Sequence, residues 1–438
     1  MNMNKVFSSS IGIKYPKLRD HPLHSGQDWL NSKNIDDGAE SYWRIHDNLY
    51  DLSDFILTHP GGQDWIKLSK GTDITEAFES HHLTSKAETL LPKFFLKKAS
   101  SPRNFPFTFH EGGFYKTLKG RISKKLEELP AKPSKRSKLL TDTIFACYIS
   151  TFLLAVHFQS FLVGTVAGVF LALLAVAAHN FFHQRDNFRR FYFDFSMLSS
   201  TEWRISHVFS HHMYTNTVSD MEISLVEPFL QYLPGQKNLL FRYGSWVYSP
   251  VLYGLIFISQ YFKGLGIHLY TSKRLSVPWP ALLPLTIPLL SWVVTGQTAG
   301  VCLKMFAWVI VVASTYFGVV GFNAAHHHPD IFHDGDAARA KDEMDWGVFQ
   351  LDAVMDRKDI TGSHFLVLTN FGDHALHHLF PSIDHGLLEY LYPIFLETCE
   401  QFGVDWRLVT QLDLVKGQYA QLARVVPNPK PPKKQSKL

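Results

Sequence analysis

Residues 160–183 read SFLVGTVAGVFLALLAVAAHNFFH, an uncharged apolar run that ends in a pair of histidines. The apolar part, residues 160–178, has about the 20 residues that the hydrocarbon core of a bilayer requires of a helix. His179 and His183 follow directly, and on a continuing helix their four-residue spacing would bring both rings to one face. Because neutral imidazole binds iron, zinc or copper well, the run predicts a membrane-spanning helix that ends at a metal site.

Three further apolar stretches lie in the same half of the chain, at residues 139–158, 279–295 and 300–321. The connections within the two pairs of stretches are uncharged, whereas lysine and arginine cluster outside them. These flanking residues are Lys132, Lys135, Arg136, Lys138, Arg185, Arg189, Arg190, Lys273 and Arg274. Positive charge marks the cytoplasmic side of a membrane protein. We therefore expect four spans in two hairpins that enter from the cytosol, with both termini cytosolic.

Residues 246–268 form another apolar run, which contains Lys263 and His268. If this run crossed the membrane, everything after it would change sides. We interpret it as interfacial or re-entrant, in keeping with the charged and polar residues within it.

Six more histidines form two further clusters, His207-Val-Phe-Ser-His211-His212 and His374-Ala-Leu-His377-His378. With an even number of crossings between them, all three clusters share the cytosolic side and can meet. Eight imidazoles exceed what one tetrahedral zinc ion accepts, so the pattern indicates two metal ions. Ordinary surface or packed histidines would explain any single ring, but three clusters with helical spacing favour metal binding.

The amino-terminal part carries a second iron signature. Residues 41–50 (SYWRIHDNLY) are typical of a short strand, and the turn His59-Pro60-Gly61-Gly62 follows, where glycine lets backbone approach a flat ligand. His82 comes twenty-three residues after His59. Two imidazoles on opposite faces of a haem saturate its iron, and such a haem transfers electrons.

Composition excludes several classes of protein. Cys147, Cys302 and Cys399 are far apart, with no CxxC pair, so a cysteine-ligated zinc module and a covalently attached c-type haem are excluded. The net charge of +4 is too mild to indicate nucleic-acid binding. No nicotinamide-binding fingerprint is present, so electrons must come from a separate partner.

These motifs resemble a known fused family. Residues 41–98, through WRIHDNLYDLSDFILTHPGG and GTDITEAFESHH, resemble the cytochrome b5 haem domain. Residues 139–425 are similar to membrane fatty-acid desaturases, whose third histidine box typically ends as His377-His378-Leu379-Phe380-Pro381 does here. The resemblance implies an α+β cytochrome b5-like domain followed by an all-α polytopic membrane domain with four transmembrane helices and a cytosolic histidine-rich cap. The remaining segments are an extension (1–40), a linker or amphipathic segment (99–138) and a basic tail (426–438).

The resemblance also implies ligand roles. His59 and His82 would bind haem b, with His82 preferred to His81 because the fused relatives place the second ligand four residues after the phenylalanine matching Phe78. Two non-haem irons would be held by the eight box histidines, which are His179, His183, His207, His211, His212, His374, His377 and His378.

A ninth iron ligand is expected after the last span, where Asn323 and His327 reproduce an Asn-x-x-x-His pair of the acyl-CoA desaturases. His327 is therefore chosen over its neighbours His326 and His328. One residue departs from the family pattern. Fused front-end desaturases usually begin the third box with glutamine, whereas this chain has His374, which puts front-end regiochemistry in doubt.

The function implied is an O2-dependent di-iron desaturase of fatty acyl chains, either acyl-CoA or lipid-linked, with an internal cytochrome b5 electron donor. Its expected partners are the lipid bilayer and an NADH-cytochrome b5 reductase. Two alternatives stay open: a membrane-anchored electron-transfer protein whose desaturase domain is inactive or repurposed, and a lipid hydroxylase. We expect the endoplasmic reticulum membrane. The final Ser436-Lys437-Leu438 matches a peroxisomal address, but coincidence is favoured in a polytopic chain with a lysine-rich tail.

Overall fold

The computed structural model describes residues 7–17, 19–21, 25–272, 277–322 and 325–432. Lys273, Arg274, Asn323 and the terminal tripeptide 436–438, which carry some of the expectations above, lie outside the described residues.

The first part of the chain contains a small α+β domain. Its strands β1 (Trp43–Ile45), β2 (Asn48–Tyr50) and β3 (Phe95–Lys98) are antiparallel and pair in that order, so residues 41–50 form a tight hairpin instead of one strand. A separate apolar core lies beneath the sheet and includes Trp43 and Phe78. The helices are α1 (Gly26–Asp36), α2 (Gln63–Leu68), α3 (Thr75–His81) and α4 (Lys86–Leu90), with 3-10 turns at Ser53–Thr58 and Leu91–Phe94.

The rest of the described chain is almost entirely helical. Its only strands there are the short parallel pair β4 (Asp356–Arg357) and β5 (Leu408–Val409). The long helices are α5 (Phe114–Glu128), α6 (Lys132–His157), α7 (Phe161–His179), α10 (Ser245–Ser272), α11 (Leu283–Thr295), α12 (Ala299–Phe322), α16 (His385–Phe402) and α17 (Gln411–Ala423). The short helices are α8 (Ser200–Trp203), α9 (His212–Tyr214), α13 (Trp346–Asp352), α14 (His364–Thr369) and α15 (His374–Leu379). Residues 204–211 and 240–244 are π-helical, and 3-10 turns lie at Phe188–Ser196, Trp279–Leu282 and Lys341–Glu343.

Helix α7 is the centre of the helical bundle and packs against both α6 and α12. Its capping residue Ser160 accepts a hydrogen bond from the backbone N–H of Val163. Gly164 and Gly168, one turn apart, let α12 approach closely. A Cβ at Gly168 would lie 2.7 Å from the Val312 side chain. Small residues at this spacing commonly allow two membrane helices to pack closely against each other.

Three of the described helices are long and apolar enough to cross a bilayer, namely Lys132–His157, Phe161–His179 and Ala299–Phe322. They correspond to three of the four expected spans. The fourth, Trp279–Thr295, is shorter. Its prolines fit this reading, since Pro280 lies in the initial 3-10 turn and Pro288 inside the helix.

Residues 246–268 belong to one continuous helix, α10, which does not turn back on itself. Tyr253 stacks on Phe322 at the carboxyl end of α12, with ring centroids 5.4 Å apart. The Tyr261 hydroxyl donates to the carbonyl of Ala281, just before α11 begins. Both contacts lie toward the end of the bundle from which the histidine clusters emerge.

The described parts of the two segments expected to flank the cytochrome b5-like domain, residues 1–40 and 99–138, fold against the membrane domain. Trp29 and Leu30 of α1 are buried in the main core, and Lys33 hydrogen-bonds the Tyr214 hydroxyl at 3.0 Å. Residues 99–138 contain α5, which packs against α16 and buries Tyr115. The connection between the two domains is therefore a folded, packed segment and not a flexible linker.

Candidate functional site

The three histidine clusters converge, as the topology argument predicted. Five imidazoles have ligand nitrogens within 4.8 Å of one another, and all five rings are buried. We call them the first group; it consists of His179, His183, His207, His212 and His377. Its Nε2–Nε2 distances include 2.6 Å for His179–His207 and 3.0 Å for His212–His207.

A second group adjoins the first. It contains His211, His326 and His378, again with ligand atoms within 4.8 Å of one another. His374 joins it, because its Nε2 lies 2.7 Å from Nε2 of His326. His211 and His326 are similarly close, with Nε2 atoms 3.1 Å apart.

A π-helix decides how the second cluster is divided. Residues 204–211 have the wider π-helical turn, in which positions five apart lie one above the other. His207 and His212, five positions apart, share the first group, while His211 enters the second and also keeps its ligand nitrogen within 4.8 Å of the ligand atoms of His207 and Glu222. The α-helical spacing assumed from sequence predicts the pairing of His207 with His211 but not that of His207 with His212.

Hydrogen bonds on the far side of several rings fix their orientation. Nδ1 of His207 lies 2.8 Å from Oε1 of Glu222, and Nδ1 of His211 lies 2.9 Å from Oδ2 of Asp220. Nδ1 of His378 lies 3.1 Å from Oε1 of Gln350. Partners of this kind hold the proton on Nδ1 and leave Nε2 free for a metal. Sequence reasoning missed all three; the only signal was an acidic pair a few residues after the second cluster.

Burial sets the protonation state of most of these rings. It lowers the pKa of His183, His207, His212, His326, His374, His377 and His378 well below the usual value, which keeps them neutral. His211 is the exception. Burial opposes its charge, but the carboxylates of Asp220 and Glu222 outweigh burial and raise its pKa to about 9. A metal cation at Nε2 would satisfy the same carboxylates in place of that proton.

This donor set fits two metal ions. Neutral nitrogens whose lone pairs face one another at about 3 Å repel unless a cation lies between them. The two groups bring nine imidazole rings together, and of these His211 would give up its extra proton to bind a metal. Imidazole donors suit iron.

The structure brings eight of the nine expected iron ligands together, and His327 is not among them. Its ring stacks on Tyr232, with centroids 3.5 Å apart and planes 3° from parallel, and its neighbour His326 reaches the second group instead. The Asn-x-x-x-His pair led sequence reasoning to the middle one of three consecutive histidines, whereas the fold turns its neighbour His326 toward the second group. The choice of His327 therefore lacks geometric support, and we take His326 in its place.

Three other histidines, His333, His364 and His385, lie outside the three clusters and are not expected to bind the irons directly. All three are buried. His385 lies beside the first group, 4.6 Å from the His377 ring between centroids, and neither of its ring nitrogens has a partner among the described residues. His364 is hydrogen-bonded to Ser137 at 2.9 Å.

A cavity of about 470 Å³ is lined mainly by residues of the small α+β domain, among them His59 and His82. Their ring centroids are 6.3 Å apart, close enough for one metal ion to contact both. Nδ1 of His59 is 3.0 Å from the carbonyl oxygen of Gly62, and Nδ1 of His82 is 3.0 Å from that of Phe78. Both rings therefore keep Nε2 for a ligand, and burial lowers the pKa of His82 to about 4. The largely apolar walls and two imidazoles fit a bis-histidine haem.

The rejected alternative to His82 is its neighbour His81. Its ring lies against Trp65 and His183 and contributes to the wall of the same cavity.

A second, mostly apolar cavity lies beside the second group of histidines. His207, His211, His326 and His374 form part of its wall. The apolar lining includes Leu198, Trp203, Ile256, Phe317, Phe322 and Phe371. Its volume is about 70 Å³, so only a short stretch of hydrocarbon would fit beside these histidines.

Comparison with known proteins agrees with this architecture. Residues 150–410 match the fatty acid desaturase family model, and residues 27–99 match the cytochrome b5-like haem/steroid-binding domain model. The chain therefore belongs to the fatty acid desaturase family, with a cytochrome b5 domain fused before the desaturase domain.

Several relatives share this arrangement along most of their length. The chain is 42% identical over 433 residues to the cytochrome b5-related protein of Drosophila melanogaster, covering 97% of each chain. It is 21% identical to the acyl-lipid (8-3)-desaturase of Mortierella alpina, over 84% of this chain and 90% of the relative. It is 23% identical to delta(5) fatty acid desaturase A of Dictyostelium discoideum, over 83% and 86% respectively.

Proposed function

We propose that this protein is a membrane-bound, O2-dependent di-iron desaturase of fatty acyl chains that receives electrons from its own cytochrome b5 domain. The observation that carries the proposal is the pair of buried histidine groups, which adjoin an apolar cavity on one side and the haem cavity on the other. The desaturase names of two relatives support the same class of reaction.

The proposed ligands follow from the geometry. His59 and His82 would hold haem b. The first group would hold one iron, and His211, His326, His374 and His378 would hold the other. When bound, such irons activate O2 strongly enough to remove hydrogen from an unactivated methylene.

The chain's own residues prepare that reaction. The apolar wall holds an acyl chain against His207, His211 and His374 and excludes water from the reacting carbons. Asp220 and Glu222 keep the rings of His211 and His207 turned toward the metals. Desaturation consumes O2 and two further electrons, which the haem domain can deliver singly after reduction by an NADH-cytochrome b5 reductase.

The electron-carrier alternative draws support from one finding, since the most extensive match above is named only a cytochrome b5-related protein. The unusual His374 does not weaken the metal site, because its ring joins the second group. A hydroxylase would use the same site.

The product test separates these functions. The protein is expressed in a host that lacks desaturases, and the host's lipids are analysed by mass. A desaturase removes two hydrogens from an acyl chain, whereas a hydroxylase adds one oxygen. An unchanged lipid profile across acyl-CoA, phospholipid and sphingolipid fractions would favour the carrier.

We further propose four spans, with both termini and the histidine cap on the cytosolic side of the endoplasmic reticulum. The contacts of α10 support this topology. Trp279, which precedes α11, packs on Phe191 in the turn that follows α7, with ring centroids 4.6 Å apart. Tyr261 is therefore tied to the end of the bundle where α10 also begins, as expected of a helix lying along the interface.

Tags placed at residue 1, near Lys273 and after Leu438 test the topology. We expect all three to be protected from luminal modification in sealed microsomes, because two hairpins return the chain to the cytosol. A luminal signal near Lys273 would show that α10 crosses the bilayer and would contradict the proposed set of four spans, whichever side the tag after Leu438 reports.

A further inference from the structure

The haem cavity is shared between the two domains. Its wall is completed by residues of the desaturase domain, namely His183, Gln184, Arg185, Phe209 and Ser382. His183 belongs to the first group of histidines. One residue of the proposed iron site therefore also borders the proposed haem site.

Direct contacts hold the domains in this position. The backbone N–H of Asp186 donates to the carbonyl of Gly61 at 3.0 Å, which joins the His-Pro-Gly-Gly turn to the segment after the first histidine pair. Gly62 has φ +118°, and a Cβ there would lie 2.1 Å from the Asp186 carboxylate. The turn therefore needs glycine for its backbone conformation and for this docking contact.

Two further contacts surround Trp65 and His81. The guanidinium of Arg204 lies over the Trp65 ring, 4.9 Å from its centroid, and 3.8 Å from the carboxylate of Asp64. The Ser382 hydroxyl donates to the carbonyl of His81 at 3.3 Å. A residue just after the third histidine box (Ser382) and one just before the second (Arg204) thus help to fix the haem domain in place.

His81 occupies the space between the two sites. It is adjacent in sequence to the proposed axial ligand His82, and its ring is 5.0 Å from Trp65 and 6.0 Å from His183 between centroids, with the His81 and His183 planes 22° apart. Its Nδ1 is anchored 3.0 Å from the carbonyl oxygen of Ala77. Its Nε2 is buried and has no hydrogen-bonding partner in the described part of the chain.

We propose that His81, supported by Trp65, is the contact through which electrons pass from the haem to the metal centre at His183. The inference rests on the proposed function. Each transfer oxidises one ferrous haem to ferric haem and adds one electron to the metal pair, which lowers the charge of the pair by one unit. No bond forms or breaks in this step. Two transfers, with the haem re-reduced between them by the NADH-dependent reductase, supply the two electrons that the reaction needs beyond O2.

Flash photoreduction of the haem by a flavin, without O2 or substrate, measures this transfer directly. The absorbance of the ferrous haem is followed over time, and its decay measures the transfer of electrons to the oxidised metal centre. We expect His81→Ala and Trp65→Ala to slow the decay by roughly tenfold, because each opens a gap in the packed contact. Non-haem iron should be unchanged in both variants, and most of the haem should be retained.

Two control variants have matched chemistry. His110→Ala removes an exposed histidine of the connecting segment, and Trp279→Ala removes an exposed tryptophan near α11. In both control variants the ferrous haem should decay at the wild-type rate. If His81→Ala fails to retain haem, Trp65→Ala decides the question, since the Trp65 ring packs on His81 and Phe209.

The outcomes separate the inference from the proposed function. Suppose that the decay of ferrous haem depends on the box histidines but proceeds at the wild-type rate in His81→Ala and Trp65→Ala. This result would overturn the role of His81 and leave the proposed function intact. Absence of decay in wild-type protein that contains its full iron would instead contradict the internal-donor function itself.

Discussion

Replacing His211 and His377 together with alanine should lower non-haem iron well below two per haem and eliminate O2-dependent modification of acyl chains. His377 belongs to the first group and His211 to the second, so each proposed iron loses one ligand. The haem spectrum should stay intact, because His59 and His82 lie in a separate cavity. Metal analysis, haem absorbance and lipid mass analysis on the same preparation measure all three quantities.

His326 and His327 provide a matched pair of controls for the same experiment. Both are buried neighbours, but only His326 reaches the second group, whereas His327 stacks on Tyr232. We expect His326→Ala to lower the iron content and His327→Ala to preserve it. Loss of iron in His327→Ala with retention in His326→Ala would restore the ligand chosen from sequence and contradict the arrangement described above.

His82→Ala should abolish haem retention and, with it, electron delivery to the metal centre. The ring of His82 faces His59 across the haem cavity, and its Nδ1 is held by the Phe78 carbonyl so that Nε2 remains for the haem iron. Removal of one of two axial ligands leaves the iron without the bis-histidine ligation that gives its low-spin spectrum. Haem absorbance per protein measures the effect.

The neighbouring His81→Ala variant is the control. It removes an equally buried imidazole one residue away but should leave most of the haem in place, because His81 faces Trp65 and His183. Reversal of the two outcomes would show that His81 is the axial ligand. It would also remove the basis for its proposed role in electron transfer.

The sequence was sufficient for features that depend on local patterns. The uncharged run at residues 160–178 predicted α7, and the helical spacing of histidines predicted convergent metal-binding clusters, which the two groups confirm. Such patterns are informative because lipid forces the backbone to satisfy its hydrogen bonds within a helix. The separate cytochrome b5-like domain was likewise predicted from the His-Pro-Gly-Gly turn.

Features that depend on long-range packing could not be predicted in this way. The π-helical turn that brings His207 and His212 into one group was not predicted from the spacing of the histidines. Asp220 and Glu222 resemble any acidic pair until the fold brings them against the histidine rings. The docking of Gly61 on Asp186, across 125 positions of the chain (186 − 61), likewise depends on how the two domains pack.

The central claim is tested most directly by assaying the purified protein with NADH, cytochrome b5 reductase and O2 on acyl-CoA, phospholipid and sphingolipid substrates. With about two non-haem irons per haem, the wild-type protein should remove two hydrogens from an acyl chain of at least one substrate class. The His211→Ala/His377→Ala protein should form no product under the same conditions. Normal haem reduction and full iron content without any product from the wild-type protein would contradict the desaturase assignment and leave an electron carrier as the better account.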